Sequence, residues 1–283
     1  MHHLIFYGSY LAFPALAAAI YVLIKKPSKA KILALLVILL FIYSRFIETQ
    51  IITIKTTEID LPNIDHQVQV AIISDPQVGV YRTAHYLDRI VSKTNQLNPD
   101  LVLIPGDITY HASLNKIPKL LQPLQNLQAN TLAVLGNHDY ATPGTASDVI
   151  SQAITAQLPI IDNTISETDD FTIAAYGSIF ANNFDVNVAN ELQTDNPTIA
   201  LMHNPDGTHY LDQQFDLAIA GHTHCGQIKI PILYKPFVPT KFSFEAGLQE
   251  SPVGPLYISC GLGESLLPMR FFNPPTIDLL VLK

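Results

Sequence analysis

"VQVAIISDPQVG", residues 68–79, runs from an apolar strand into a polar turn. Val68, Val70, Ala71, Ile72 and Ile73 crowd the strand with little alternation, the pattern of a strand covered on both faces. Chains of alternating strands and helices place ligands at the carboxyl ends of such strands. The turn here offers the carboxylate of Asp75 and, two positions on, the neutral amide of Gln77. It is either a turn that contains an acid or one corner of a metal site with an unusual ligand. The ends of the other strands decide between these.

Outward from that stretch the rhythm is strand, loop, helix. Residues 51–67, "IITIKTTEIDLPNIDHQ", read as a strand and a polar lead-in. Residues 83–98 carry Leu87, Ile90, Val91 and Leu97 at helical spacing. "DLVLIP" (100–105) is a second buried strand, and "TLAVL" (131–135) a third. Between them, residues 113–128 show a helical leucine face that Pro118 and Pro123 interrupt. This βαβαβ order predicts a parallel sheet with helices outside it. The second half is strand-rich: "FTIAAYGSIF" (171–180), "PTIALMH" (197–203), "FDLAIAGHTH" (215–224), "GQIKIPIL" (226–233), "PLYISCGLG" (255–263) and the closing "TIDLLVLK" (276–283). The expectation is an α/β domain over residues 51–283, two facing sheets flanked by helices.

The first 50 residues are different. Residues 4–24 contain no charge, and residues 32–43 are apolar too, extended by Phe46 and Ile47 past Ser44 and Arg45. A bilayer core needs about 20 apolar residues per helix. The first run meets this, and the second does if Lys31 and Arg45 snorkel. "KKPSKAK" (25–31) between them predicts a tight turn in a transmembrane hairpin, with helices over about 4–24 and 30–48. Short positive loops stay in the cytoplasm. Both ends of the hairpin, and the domain after it, are therefore expected on the periplasmic side of the inner membrane.

Five cations against Glu48 leave +4 on residues 1–50; the whole chain sums to −8, so the remainder carries −12. An acidic domain is a poor nucleic-acid binder, because neutralising phosphates needs Lys and Arg. Two cysteines, Cys225 and Cys260, are no disulfide framework, and each by itself reads as a small buried hydrophobe. Whether they pair is left open by the sequence.

Polar residues gather where the apolar runs end: Asp75 and Gln77 in "SDPQ", Asp107 in "PGDIT", Asn137, His138 and Asp139 in "LGNHDY", His203 in "LMHNPD", His222 and His224 in "AGHTHCG". Each sits beside Gly or Pro, which let a backbone turn tightly near a ligand. His222 and His224 are two apart, hence on one side of an extended segment. Carboxylates, imidazoles and two amides form a mixed oxygen and nitrogen donor set suited to Mn²⁺, Fe²⁺, Mg²⁺ or Zn²⁺. Seven ligands exceed one tetrahedral ion and suit two divalent ions that share a carboxylate. Such a pair clamps a displacement at phosphorus.

The ordered set SDPQ, GD, GNHD, H, GHTH over residues 74–224 resembles the calcineurin-like metallophosphoesterase superfamily. "GHTHCGQIKIP", the closing "GLGESLLPMRFFNPPTIDLLVL" and the apolar lead-in resemble its membrane-anchored or exported bacterial branch, some of whose members are related to UDP-2,3-diacylglucosamine pyrophosphohydrolases. The resemblance implies a four-layer α/β/β/α sandwich. It implies one metal on Asp75, Gln77, Asp107 and His224, and a second on Asp107, Asn137, His203 and His222. It implies His138 facing the phosphate, with Asp139 orienting it. Two positions depart from the pattern: Gln77 stands where the family usually has His, and Cys225 where the branch usually has Gly. Tyr110 and His111 either line the substrate mouth or take no part in it, and Arg270 is read as a cation for a second phosphate or a head group, or else as part of a surface salt bridge.

The expected activity is a metal-dependent phosphoric ester hydrolase acting on a phosphoester substrate, possibly lipid-linked, at the membrane bilayer. The alternatives are a UDP-diacylglucosamine pyrophosphohydrolase-like enzyme and a membrane-tethered binding module weakened by the Gln77 departure.

Overall fold

The structure is a computed structural model that describes residues 1–140, 148–230 and 234–283. Two β-sheets lie face to face. The first has the order Thr53–Ile59, Thr276–Leu282, Val68–Ile72, Leu101–Pro105, Asn130–Val134. Its last three strands run parallel, as the βαβαβ rhythm requires, and Thr276–Leu282 runs antiparallel to Val68–Ile72. The second has the order Gly247–Ser251, Gly254–Ile258, Leu217–Ala220, Thr198–Leu201, Thr172–Ala175, Thr164–Glu167.

Alternation along each strand distributes its side chains between two cores. Val70, Ile72, Leu103 and Val134 face Ile173, Leu201 and Ile219 between the sheets. Ala71, Ile73, Val102 and Ile104 face the other way, onto Leu87, Ile90 and Val91 of the helix Ala84–Leu97. The prolines divide the next helical face: Ile117–Leu121 is α-helical, with 3-10 turns at Leu114–Lys116 and Gln122–Asn126. On the outer side of the second sheet, Ala174, Ala200, Ala218 and Ile258 are covered by Val188, Leu211, Phe215 and Phe244. That layer consists of loops and 3-10 turns such as Pro205–Tyr210 rather than long helices.

One expected strand does not form among the described residues. Within residues 226–233, positions 231–233 lie outside the described residues, and 226–230 form turns with a single bridge from Ile228 to Phe271. Three short elements had no clear signal: the helix Val149–Thr155 and the edge strands Thr164–Glu167 and Gly247–Ser251.

The N-terminal apolar helices cover His2–Lys25 and Lys29–Gln50, both long and apolar enough to cross a membrane. Their outer ends pack onto the sheet domain. Arg45 does not snorkel: it is buried, donating to Ser9 Oγ at 3.0 Å and lying 4.6 Å from the Phe6 ring centre. Glu48 accepts from the Asn273 amide at 2.6 Å, and the Ser44 carbonyl from the Arg270 amide at 3.0 Å. Arg82, itself paired with Glu264, donates to the Thr49 carbonyl.

Candidate metal centre

The turns after five strands converge at one end of the two sheets. Asp75 and Gln77 follow Val68–Ile72, Asp107 follows Leu101–Pro105, and Asn137 and His138 follow Asn130–Val134. His203 follows Thr198–Leu201 in the second sheet, and His222 and His224 follow Leu217–Ala220. Asp75, Gln77, Asp107, His222 and His224 all hold left-handed backbone angles, with φ of 49°, 47°, 51°, 66° and 45°. Such angles disfavour side-chain-bearing residues and persist only where surrounding structure fixes them, as at functional sites. Glycines make the approach close. A Cβ on Gly136 would run into the Asp107 side chain, and one on Gly221 into Ser74 Oγ and Asp75 Oδ2.

Two overlapping clusters result, Asp107–His203–His222 and Asp75–Asp107–His224, each with its donor atoms within 4.8 Å of one another. Asp107 belongs to both. His203 Nε2 lies 3.3 Å from Asp107 Oδ1 and 3.1 Å from Asn137 Oδ1. His224 Nε2 lies 3.5 Å from Asp75 Oδ1 and 3.3 Å from the Gln77 side-chain nitrogen. His203 Nδ1 lies 2.8 Å from the Pro105 carbonyl, which can only accept. A proton therefore sits on Nδ1, which leaves Nε2 as the nitrogen that would face a cation.

Electrostatically the cluster is strained. Burial raises the Asp75 carboxyl, and Asp107 beside it adds to the rise. Burial opposes charge on Asp107 too, but His203 and His138 more than offset it and hold this carboxyl below the usual range. Burial likewise opposes charge on His203, yet Asp107 lifts it to about 9. Burial and then His203 push His222 down to about 3. Protein groups alone therefore satisfy the site unevenly. The buried acceptor atoms Gln77 Oε1 and His222 Nε2 have no hydrogen-bond partner. Two carboxylates, three imidazoles, an Asn amide and an unpartnered Gln oxygen fit a pair of divalent cations.

His138 stands at the rim. Its amide donates to Asp107 Oδ1 at 2.8 Å, and its ring Nε2 lies 4.0 Å from Asp107 Oδ2 with the side chain 32% exposed. The edge of Tyr110 packs on it, centroids 4.8 Å apart, and His111 lies 6.4 Å away. Asp139 does not bond to the His138 ring. Its carboxylate accepts from the amides of Ile108, Thr109 and Gly136 at 2.7–3.0 Å, locking the Asp107 turn to the His138 turn.

The reading of Arg270 is corrected, and the open question of the two cysteines is answered. Arg270 is neither at the phosphate nor in a surface salt bridge. It is fully buried, and its guanidinium donates to the carbonyls of Gly263, Cys260 and Asn273. Five donors in a fixed fork suit a turn whose carbonyls point inward, and burial lowers its pKa. Cys225 and Cys260 are not separate buried thiols. They form a disulfide with Cα atoms 4.9 Å apart, which ties the His222–His224 turn to the end of Gly254–Ile258. Neither partner choice has a signal in the linear sequence, since both depend on where the 260–273 turn packs.

The sequence profile described as calcineurin-like phosphoesterase matches residues 68–226, more than half of the chain. An uncharacterized metallophosphoesterase of Helicobacter pylori is 32% identical over 238 residues, covering 80% of this chain and 63% of that protein. The chain thus spans less than two thirds of that relative's length. The UDP-2,3-diacylglucosamine pyrophosphatase LpxG of Chlamydia muridarum is 27% identical over 310 residues, covering 86% of this chain and 93% of its own. The phosphodiesterase YaeI of Escherichia coli is 31% identical over 194 residues, covering 65% and 70%.

Proposed function

The chain belongs to the calcineurin-like phosphoesterase family, and on that premise we propose that it hydrolyses a phosphoester or pyrophosphate bond of a membrane-associated molecule, using two divalent ions. The observation that carries this reading is the sharing of Asp107 between two donor clusters. Asp75, Gln77, Asp107 and His224 would hold one ion, and Asp107, Asn137, His203 and His222 the other. Such a pair supplies charge to a phosphoryl group and lowers the pKa of water.

The chain's own residues do the rest. His138, half-exposed beside Asp107, holds its ring where a leaving oxygen can take a proton from it. Asp139 fixes the two turns through backbone amides and acts as a positioning residue. Tyr110 walls the His138 ring.

The catalytic domain is read as extracytoplasmic. The lysine-rich turn between the apolar helices argues for this. So does the Cys225–Cys260 disulfide, since disulfides persist in oxidising compartments. The likeness to LpxG favours a second reading, a nucleotide-linked lipid pyrophosphate as substrate. That reading needs the domain on the cytoplasmic side, where the turn and the disulfide argue against it.

A screen of p-nitrophenyl phosphomonoesters and phosphodiesters with Mn²⁺, Fe²⁺, Mg²⁺ and Zn²⁺ in turn tests the activity. Hydrolysis with at least one metal is expected. Asp107→Asn should lose about 10³-fold or more in activity, and most bound metal, with an unchanged circular dichroism spectrum. A variant that still binds two ions normally would remove Asp107 from the bridging role. Inertness of the wild-type chain towards every ester and metal would remove the hydrolase reading.

A further inference from the structure

The cleft over the metal centre continues past it. A cavity of about 690 Å³ is lined by Asp107, His138, His222 and His224 together with an apolar wall of Ile228, Ile230, Tyr234, Leu266 and Leu267. Leu266, Leu267 and Ile230 are 66%, 43% and 44% exposed, and Leu266 is held at φ 59°, in the left-handed region. A large aliphatic side chain kept both exposed and strained calls for a role outside the core. Among the described residues lining the cavity there is no Lys or Arg. Lys229 stands outside that lining, with its Nζ 5.9 Å from the Tyr234 ring centre.

The wall is also continuous with the apolar helices. The Leu266 amide donates to Tyr110 Oη at 2.9 Å, and its carbonyl accepts from Tyr81 Oη at 2.8 Å. Both tyrosine rings pack on His2 in the first helix, at 5.4 and 6.1 Å. A few residues on, Arg270 and Asn273 bond to Ser44 and Glu48 in the second. The segment that carries the leucines thus bridges the metal centre and the foot of the hairpin.

We propose that this wall is a subsite for one alkyl or acyl chain of a phosphoester drawn from the bilayer, with the chain on Leu266, Leu267 and Ile228 while the phosphate faces His138. This rests on the phosphoesterase reading for the phosphate end only. Burying methylenes supplies the affinity, and a cleft of this size accommodates a flexible apolar ligand.

The test uses the full chain in nanodiscs, loaded with Mn²⁺, and n-alkylphosphonates from methyl to octyl, which bind without turnover. Affinity measured by calorimetry should rise about 10- to 100-fold across the series. In a Leu266→Ser/Leu267→Ser double variant, whose substitutions are at exposed positions, the rise should flatten. No rise in the wild type overturns the inference. An equal rise in both proteins assigns the gain to the bilayer and overturns it as well. Tighter binding of uridine monophosphate than of octylphosphonate, lost in Tyr234→Ala, would give the wall to a nucleobase instead. Because phosphonates are not cleaved, a retained chain-length effect in a protein that hydrolyses no ester would remove the hydrolase reading alone.

Discussion

At Gln77 the backbone passes through the left-handed region and delivers an amide into a cluster of acids and imidazoles. The amide nitrogen lies 3.1 Å from Asp107 Oδ2, and the oxygen is buried without a partner. Which amide atom faces the cluster follows from what else is bound there, because the two exchange by a half-turn. With a cation present the oxygen is the donor, a harder and weaker ligand than imidazole. Gln77→His should shift metal preference towards Zn²⁺. Gln77→Ala should weaken one ion by about 10- to 100-fold and leave the other, which on the proposed assignment would rest on Asp107, Asn137, His203 and His222. Metal titration followed by activity and by calorimetry reads both. Equal affinity and selectivity in all three proteins would leave Asp75 as the lone donor of its turn. The polar residues of the centre were legible because each ends an apolar run beside Gly or Pro. Arg270 was not, because its partners are carbonyls of its own turn, and nothing in a linear sequence marks which carbonyls point inward.

Among the elements, the closing strand Thr276–Leu282 has the most to explain. It sits between Thr53–Ile59 and Val68–Ile72 and carries a carboxylate into the interior. Asp278 is buried and accepts from Tyr257 Oη at 2.9 Å, a bond between the two sheets. Burial pushes Asp278 up to about 6, against about 3.9 in an unfolded chain. A carboxyl whose folded pKa is raised favours the fold while protonated. Its contribution is present below about pH 4 and is lost as pH rises to about 6. Above that the ionised group costs up to about 3 kcal/mol. Asp278→Asn keeps an acceptor for Tyr257 and removes the charge. It should raise the thermal midpoint by several degrees at pH 8, and by less at pH 4.5. A variant less stable at both pH values would show that the carboxylate is favourably paired. The strand itself was legible from its apolar run. The edge strand Gly247–Ser251 was not, because Leu248 and Glu250 share its solvent face and no apolar alternation marks the other.

At the scale of the whole molecule, charge, hairpin and disulfide bear on one question, the side of the membrane on which the acidic domain lies. Residues 1–50 carry +4, with four lysines in the short turn, while the remainder carries −12. Cationic short loops are retained on the cytoplasmic side, and acidic residues exert little such pull, so the lysines set the orientation. The helices His2–Lys25 and Lys29–Gln50, each long and apolar enough to cross a bilayer, would then return the chain to the outer face. The domain docks on the ends of these helices through Glu48, Ser44 and Thr49. With the hairpin in a bilayer, that contact would keep the candidate metal centre close to the membrane surface and fix the domain's orientation to it. The Cys225–Cys260 bond points the same way, because disulfides persist mainly in oxidising compartments. Single cysteines at Ser28 and at Lys283 should therefore label from opposite faces of intact cells with an impermeant maleimide, the second from outside. Removing Lys25, Lys26, Lys29 and Lys31 together should randomise or invert the pattern. An inverted chain should then be recovered with Cys225 and Cys260 reduced and with less bound metal, because the His222–His224 turn loses its tie to Cys260. Labelling of both positions from the cytoplasm in the unaltered chain would place the domain inside and make a nucleotide-linked lipid accessible to it.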